Sequence, residues 1–250
     1  MTLAITAITP DFAGPDFVGP DFAGKVTGID CRRTLSPDEV AAIAAGMDRF
    51  AVLVFPGQNL SDAEQLAFTL QFGEIEKSGG GGVPIHLRTD LERRSLGQGI
   101  GDFSNVDPAG QPLATDSRAY MFKLADRLWH SDSSFKAVPA KYSLLSARAV
   151  PSWGGNTEFA DMRAAYDALD ARTRDAVENL VCLHSQMYSR EKIGFTELTD
   201  TEREVYRPVR QRLVRRHLST GRKSLFLSSH TGAIEGMSPP EARMLLLDLA

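Results

Sequence analysis

The sequence predicts an α+β protein, and three observations lead to that prediction. The patterns Ser36-Pro-Asp-Glu and Ser61-Asp-Ala-Glu each mark the start of a helix, because a serine N-cap is followed by acids in the first turn. Between them, the apolar run 51–55 ends at a Pro-Gly pair, which is typical of a buried strand. Two later strands, 212–217 and 224–228, are predicted to form a hairpin through a Thr-Gly turn.

The other elements follow from the same local patterns. The first helix is predicted over 36–49, and the second is predicted to end near Gly73. Further elements are predicted as a turn and strand at 154–159, helices at 161–169 and 172–180, a strand at 181–187, and a last helix from Ser238 that still continues at Ala250.

Domain organisation is predicted from two segments rich in glycine. Residues 10–24 hold three tandem copies of Pro-Asp-Phe-x-Gly, in which proline and glycine exclude a helix and interrupt a strand. Residues 1–24 are therefore predicted as a Pro/Gly-rich arm, either a binding arm or a duplicated turn. A single domain is predicted over 25–250, with a long flexible loop at 78–123.

Composition favours a small-molecule partner. The 250 residues are 42% hydrophobic and 24% charged, which is enough to bury one sizeable core. A net charge of -4 provides no overall attraction for nucleic acid. Cys31 and Cys182 are far apart, so two idle thiols are predicted instead of a disulfide scaffold or a zinc site. Because neither a spanning segment nor a secretory signal is evident, the prediction is a cytoplasmic protein with no membrane partner.

One pair of residues has the spacing of metal ligands. On a strand, His130 and Asp132 would point to the same face, with an imidazole and a carboxylate aimed at one ion. One histidine and one carboxylate are two thirds of the facial triad that holds ferrous iron. The spacing by itself also fits a surface pair or a hydrogen-bonded core pair.

The sequence around this pair resembles a known family. The run Leu128-Trp-His-Ser-Asp-Ser-Ser-Phe135 is followed by Pro151-Ser-Trp-Gly-Gly-Asn-Thr-Glu-Phe159 and then by Asp161-Met-Arg-Ala-Ala-Tyr166. These runs, in this order, resemble the taurine dioxygenase and 2,4-dichlorophenoxyacetate dioxygenase family. The resemblance extends from about residue 25 to the end, and it is nearer to the dichlorophenoxyacetate branch.

The resemblance implies a fold and a set of cofactors. The implied fold is a double-stranded β-helix, or jelly-roll, with flanking helices. The implied cofactors are Fe(II), held by His130 and Asp132, and the cosubstrate 2-oxoglutarate, with ascorbate as activator. Thr157 matches the family threonine that hydrogen-bonds the distal carboxylate of 2-oxoglutarate. Dioxygen is the other reactant, and association into a homo-oligomer is implied by analogy.

The implied reaction acts on a small anionic organic substrate. Hydroxylation of an aryloxyalkanoate next to its ether oxygen would give a phenol, glyoxylate, succinate and CO2. A taurine-type sulfonate dioxygenase and a catalytically silent barrel are the alternatives. His230 matches a position suited to an anionic substrate, and it equally fits a histidine hydrogen-bonded at a strand end. Arg118 and Lys123 could pair with a carboxylate or sulfonate, but a basic side chain on a loop is usually only solvated. His86, His184 and His217 are predicted to be structural.

The sequence also departs from the family pattern. The third iron ligand, a distal histidine, and the arginine that clamps 2-oxoglutarate are not found at the expected positions. His230 with Arg243 has a comparable spacing, but Arg243 falls in the predicted last helix and not on a closing strand of a barrel. The resemblance places Ala250 before those closing strands. The expectation is therefore a C-terminally truncated member whose last strands are absent and which holds iron weakly.

Overall fold

A computed structural model describes residues 2–8, 21–76, 100–101, 103–107 and 110–250. The chain divides into two compact units. The first contains Met1–Ile75, Leu144–Asp161 and Leu218–Thr220, and the second contains Glu76–Ser143, Met162–His217 and Gly221–Ala250. Most of the tandem repeat, residues 78–99 of the predicted loop, and His86 lie outside the described residues. The single domain over 25–250 remains a prediction.

The first unit combines a small sheet with two helices. Its strands are β1 (Ala4–Ala7), β2 (Gly24–Thr27) and β3 (Leu53–Val54), with β1 antiparallel and β3 parallel to the central β2. Its helices are α1 (Pro37–Phe50) and α2 (Asp62–Leu70), and both start with the predicted capping boxes at Ser36 and Ser61. Their apolar faces bury a core of Cys31, Leu35, Ile43, Leu60 and Phe68.

The second unit contains the remaining elements. Its helices are α3 (Arg118–Leu124), which leads into a 3-10 turn (Ala125–Arg127), α4 (Met162–Ala168), α5 (Ala171–Val177), α6 (Gln186–Lys192), α7 (Asp200–Val205) and α8 (Pro239–Asp248). Its strands are β4 (Val181–His184), β5 (Val209–Arg212), β6 (Val214–Arg216), β7 (Lys223–Leu225) and β8 (Thr231–Ile234).

Two sheets organise this unit. Strand β4 lies between β5 and β8, antiparallel to both, while β6 and β7 form the predicted hairpin. Their apolar side chains pack with α4, α5 and α8 into a core of Tyr166, Val177, Cys182, Leu213, Val214, Leu225, Ile234 and Ala242. The described residues thus form an α+β structure of small sheets and helices, and none of these sheets closes into a barrel within the part of the chain that is described.

Several predicted elements differ from the structure. Neither the predicted turn nor the predicted strand is assigned at 154–159, where Gly154 and Gly155 both have a φ of 69° and the segment is irregular. The predicted loop at 78–123 ends in a helix, because residues 118–123 belong to α3. The last helix ends at Asp248, before Ala250.

Two predictions drawn from composition can be compared with the structure. Both cysteines are free and buried, as expected of idle thiols. Within the described part of the chain, every helix is too short or too polar to cross a lipid bilayer.

A glycine sets how closely α6 approaches β8. A Cβ atom added at Gly232 would lie 2.3 Å from the Tyr188 ring, well inside van der Waals contact. We expect Gly232→Ala to lower the free energy of unfolding by about 1–3 kcal/mol, because the ring must leave its packed position. Urea unfolding measures the change. Gly101→Ala, where the nearest atom would be 3.4 Å away, is the matched control. Equal stability of the two variants would contradict the prediction.

Candidate active site

His130 and Asp132 lie in an irregular segment after the 3-10 turn. The predicted strand is wrong here, because residues 132–135 form a turn in which Ser133 has a φ of 56°, in the left-handed region. The turn still brings the two side chains together, with His130 Nε2 3.2 Å from Asp132 Oδ1. Gln211 of β5 supports the turn through its Nε2, which donates to the carbonyls of Ser134 (3.0 Å) and Lys136 (2.6 Å).

The hydrogen bonds of His130 fix the role of each ring nitrogen. Nδ1 lies 2.7 Å from the carbonyl oxygen of Leu128, which can only accept, so Nδ1 carries a proton. In the neutral ring, Nε2 therefore presents a lone pair to the Asp132 carboxylate. A backbone carbonyl that orients an imidazole in this way is a common support for a metal-binding histidine.

Facing lone pairs at this distance are stabilised by a cation between them, which is either a proton shared in a hydrogen bond or a metal ion. The pKa of His130 is raised, chiefly by its hydrogen bond to Asp132 and against the effect of burial. The pKa of Asp132 is lowered, chiefly by the same hydrogen bond. Adjacent ligands of an octahedral ion lie about 3 Å apart when each bond is about 2.1 Å. The nitrogen and oxygen donors at 3.2 Å fit a metal ion of that kind.

A second segment, 227–230, is joined to the first through serines. The backbone N–H of Ser229 donates to Trp129 O (2.9 Å), and the N–H of Ser131 donates to Ser228 Oγ (3.2 Å). The Ser131 hydroxyl donates to Leu227 O (2.9 Å). These bonds connect residues about a hundred positions apart and so bring His230 beside His130. The reasoning from sequence missed this serine network.

His230 is buried beside the pair. Its ring centroid lies 5.7 Å from that of His130 and 5.0 Å from that of Phe135, and only 3% of the residue is exposed. Burial, with a further contribution from the nearby Arg190, lowers the pKa of His230 to about 3. A neutral imidazole can form hydrogen bonds but not an ion pair. His230 can therefore bind an anion only through a ring N–H.

Removing the Ser228 hydroxyl tests the serine network. Ser228 Oγ accepts from the backbone N–H groups of Ser131 and His230, both at 3.2 Å. Since Ser228→Ala leaves both donors unpaired, we expect the free energy of unfolding to fall by about 1–3 kcal/mol in urea titrations.

The neighbouring serine supplies a matched control. Ser229 Oγ is buried without a hydrogen-bond partner, so Ser229→Ala should leave stability unchanged or raise it slightly. A Ser229→Ala variant as unstable as Ser228→Ala would show that the hydroxyl bonds are not the cause.

The other residues singled out from the sequence lie in exposed segments or already have protein partners. Thr157 belongs to the first unit, where it is exposed in an irregular segment and not on a strand. Trp129, which precedes His130, is 62% exposed. Arg118 is paired with Glu202 at 2.7 Å, and Lys123 donates to a backbone carbonyl at 2.6 Å, so protein groups already bind both cations.

The remaining histidines and Arg243 complete the comparison with prediction. His184 is fully buried, and His217 pairs with the Ser224 hydroxyl at 3.1 Å, as expected of structural residues. Arg243 lies on α8, as predicted. Among the described residues, no cluster of three or more histidine, cysteine or acidic side chains is arranged to hold a metal.

Comparison with known proteins identifies the family to which the chain belongs. The model of the family "Taurine catabolism dioxygenase TauD, TfdA family" matches residues 6–250. The alpha-ketoglutarate-dependent 2,4-dichlorophenoxyacetate dioxygenase of Cupriavidus pinatubonensis is 42% identical over 224 residues, covering 90% of this chain and 76% of that protein. The (S)-phenoxypropionate/alpha-ketoglutarate-dioxygenase of Delftia acidovorans is 36% identical over 235 residues, covering 88% and 73%.

A solved structure gives the same result. The crystal structure of AAD-2 in complex with Mn(II) and N-oxalylglycine superposes with a TM-score of 0.88 and is 50% identical, covering all of this chain and 81% of that one. Such a match defines the class of protein as a dioxygenase that depends on 2-oxoglutarate. The chain belongs to the TauD, TfdA family, which confirms the resemblance predicted from the residues around His130, including its nearer likeness to the dichlorophenoxyacetate branch.

Proposed function

We propose that the protein is an Fe(II)- and 2-oxoglutarate-dependent dioxygenase that hydroxylates an aryloxyalkanoate, such as 2,4-dichlorophenoxyacetate, next to its ether oxygen. The observation that carries the proposal is the convergence of His130 Nε2 and Asp132 Oδ1, two lone-pair donors 3.2 Å apart. The choice of substrate is supported by relatives that are named for dichlorophenoxyacetate and phenoxypropionate.

We assign a role to each candidate residue. His130 and Asp132 hold the iron, and Thr157 hydrogen-bonds the distal carboxylate of 2-oxoglutarate. His230 faces the substrate, and the Phe135 ring packed on it at 5.0 Å supplies an apolar wall that keeps water away. When bound, iron and 2-oxoglutarate together activate dioxygen for the oxidation, with ascorbate keeping the iron ferrous.

The proposed reaction is balanced. One oxygen atom of O2 enters succinate as 2-oxoglutarate loses CO2, and the other is inserted into the C–H bond beside the ether oxygen. The hydroxylated carbon then carries both a hydroxyl and an aryloxy group. The bond to the aryloxy oxygen breaks, so that the phenol leaves with the hydroxyl proton and glyoxylate remains.

The wider proposals rest on the family. We propose that the small sheets belong to a jelly-roll in a single domain over 25–250, with residues 1–24 as an arm. Homo-oligomers, a cytoplasmic location and the lack of nucleic-acid or membrane partners remain predictions. The names of the relatives support a small anionic substrate, and the net charge of -4 argues against a polyanionic partner.

Product analysis tests the function. The protein is incubated with ferrous iron, 2-oxoglutarate and ascorbate, with 2,4-dichlorophenoxyacetate, dichlorprop or taurine as substrate. We expect succinate and dichlorophenol in equal amounts, with glyoxylate from the acetate and pyruvate from dichlorprop. A reaction without an organic substrate measures uncoupled succinate.

The other outcomes decide between the alternatives. Sulfite release from taurine without phenol release from the aryloxy acids would favour the sulfonate dioxygenase. Failure to form succinate above a metal-free control with any substrate would favour the catalytically silent barrel.

A further inference from the structure

One ring nitrogen of His230 meets a buried serine. His230 Nδ1 lies 3.0 Å from Ser189 Oγ, and Ser189 is fully buried. The hydroxyl has one proton, which it donates to Gln186 O at 2.9 Å. In this arrangement the Ser189 oxygen accepts from His230, and Nδ1 of His230 carries the proton.

A buried arginine fixes the serine in this role. Arg190 Nη1 donates to Ser189 Oγ at 2.9 Å, and its Nη2 donates to Asp126 Oδ1 at 2.9 Å. Its guanidinium lies 4.3 Å from the centre of the Phe122 ring, and the residue is only 3% exposed. With one proton donated to Gln186 O and both lone pairs occupied, this arrangement uses the full hydrogen-bonding capacity of the Ser189 hydroxyl.

Helix α6 also holds the backbone on both sides of His230. The N–H of Ser185, just before the helix, donates to His230 O at 2.9 Å. At the other end of the helix, Lys192 Nζ donates to Ser229 O (2.8 Å) and to Thr231 O (3.0 Å). The ring and its main chain are therefore fixed by separate contacts from one helix.

We propose that Ser189 and Arg190 are positioning residues that hold His230 with its proton on Nδ1, so that Nε2 is a bare acceptor at the His130–Asp132 site. Within the described part of the chain, the hydrogen bonds of His230 involve Nδ1 and the backbone, and none reaches Nε2. An acceptor suits a hydroxyl or water and not a bare carboxylate. This interpretation rests on the proposed function, because the hydroxyl formed beside the ether oxygen is such a donor.

The tautomer can be measured without turnover. The protein is labelled with 15N in its histidine rings, of which there are five, and the His230 signals are identified by their loss in His230→Gln. We expect long-range proton–nitrogen spectra near pH 7.5 to show a neutral His230 protonated at Nδ1. Protonation at Nε2, or on both nitrogens, in the unaltered protein would overturn the proposal, even if no other variant folds.

Two serine variants separate positioning from general structure. Ser189→Ala should give a mixture of His230 tautomers and lower kcat/KM for the aryloxyacetate about tenfold, as expected for the loss of one hydrogen bond. Ser224→Ala, which breaks the other serine–histidine pair, should leave the His230 signals unchanged. A Ser189→Ala variant that keeps a single Nδ1-protonated form would contradict the role of Ser189.

The two proposals fail in different ways. A protein that releases phenol and succinate while His230 is protonated at Nε2 keeps the proposed function and loses the positioning role. A protein with the Nδ1–H form that turns over none of the aryloxy acids keeps the positioning role and loses the proposed substrate.

Discussion

Changing Asp132 to alanine is expected to weaken metal binding by more than about 100-fold and to abolish succinate formation. Loss of a group that merely supports a ligand typically costs 10–100-fold in metal affinity, and Asp132 is proposed as a ligand itself. The change removes both a donor atom and the negative charge that offsets the charge of the ion. Because His130 Nε2 then has no carboxylate facing it, the pKa of His130 should also fall.

The measurement is an anaerobic titration with Mn(II), in which the free ion is followed by electron paramagnetic resonance. Asp116→Ala is the matched control, since Asp116 is an exposed aspartate of the same unit. Metal affinity that is equal in Asp132→Ala and in the control would exclude Asp132 as a ligand. A loss of affinity with normal unfolding in urea would separate loss of the ligand from loss of the fold.

Helix starts were predictable because their signals are local. The serines at 36, 61 and 238 each precede a helix in the structure, and each forms a capping box with the glutamate three positions later. These hydrogen bonds are made within one turn and need no information about the rest of the chain.

Strands were less predictable because their partners are distant in sequence. The run 51–55 forms only Leu53–Val54, since Ala51 is in the left-handed conformation at the end of α1 and the strand pairs only with two residues of β2. Residues 154–159 were predicted as a turn and a strand but form no strand. A pattern of side chains predicts which face can be buried, but it does not say which chain will pair with it.

The candidate site was predicted for partly incorrect reasons. Alternation on a strand was expected to align His130 with Asp132, whereas a turn with Ser133 in the left-handed region does so. His230 reaches the same site through serine bonds across about a hundred residues of sequence. The available signal was the clustering of serines around both histidines, at 131, 133 and 134 and at 228 and 229. Such clusters are common in loops, so the partners could be known only from the fold.

The largest expected effect on stability is a loss of unfolding free energy at acidic pH, and it is expected to come from His184. This side chain is fully buried, with Nε2 3.1 Å from Thr231 Oγ1 and Nδ1 without a hydrogen-bond partner. Its ring stacks on Phe226, whose ring centre lies 3.6 Å from the Arg215 guanidinium carbon. Burial, aided by the charges of Arg215 and Lys192, lowers the pKa of His184 to about 4.

The direction of the effect follows from proton binding. An unfolded histidine has a pKa of about 6.5, so between pH 6.5 and 4 the unfolded chain binds a proton that the folded chain does not. Stability from the neutral ring is therefore fully present above pH 6.5 and is lost as the pH falls towards 4. The expected loss is about 2 kcal/mol by pH 5 and about 3 kcal/mol by pH 4. His230, with a pKa of about 3, adds a loss in the same direction.

His184→Gln isolates the contribution of His184 to the pH dependence of the unfolding free energy, because glutamine does not titrate. We expect the difference in unfolding free energy between pH 7.5 and pH 5 to be about 2 kcal/mol smaller in this variant than in the parent, measured by urea titration at both pH values. His217→Gln, which removes an exposed imidazole on the β6–β7 hairpin, controls for the loss of any histidine. If the pH dependence is unchanged in His184→Gln, the buried ring is not the group that destabilises the protein in acid, and His230 becomes the next residue to replace.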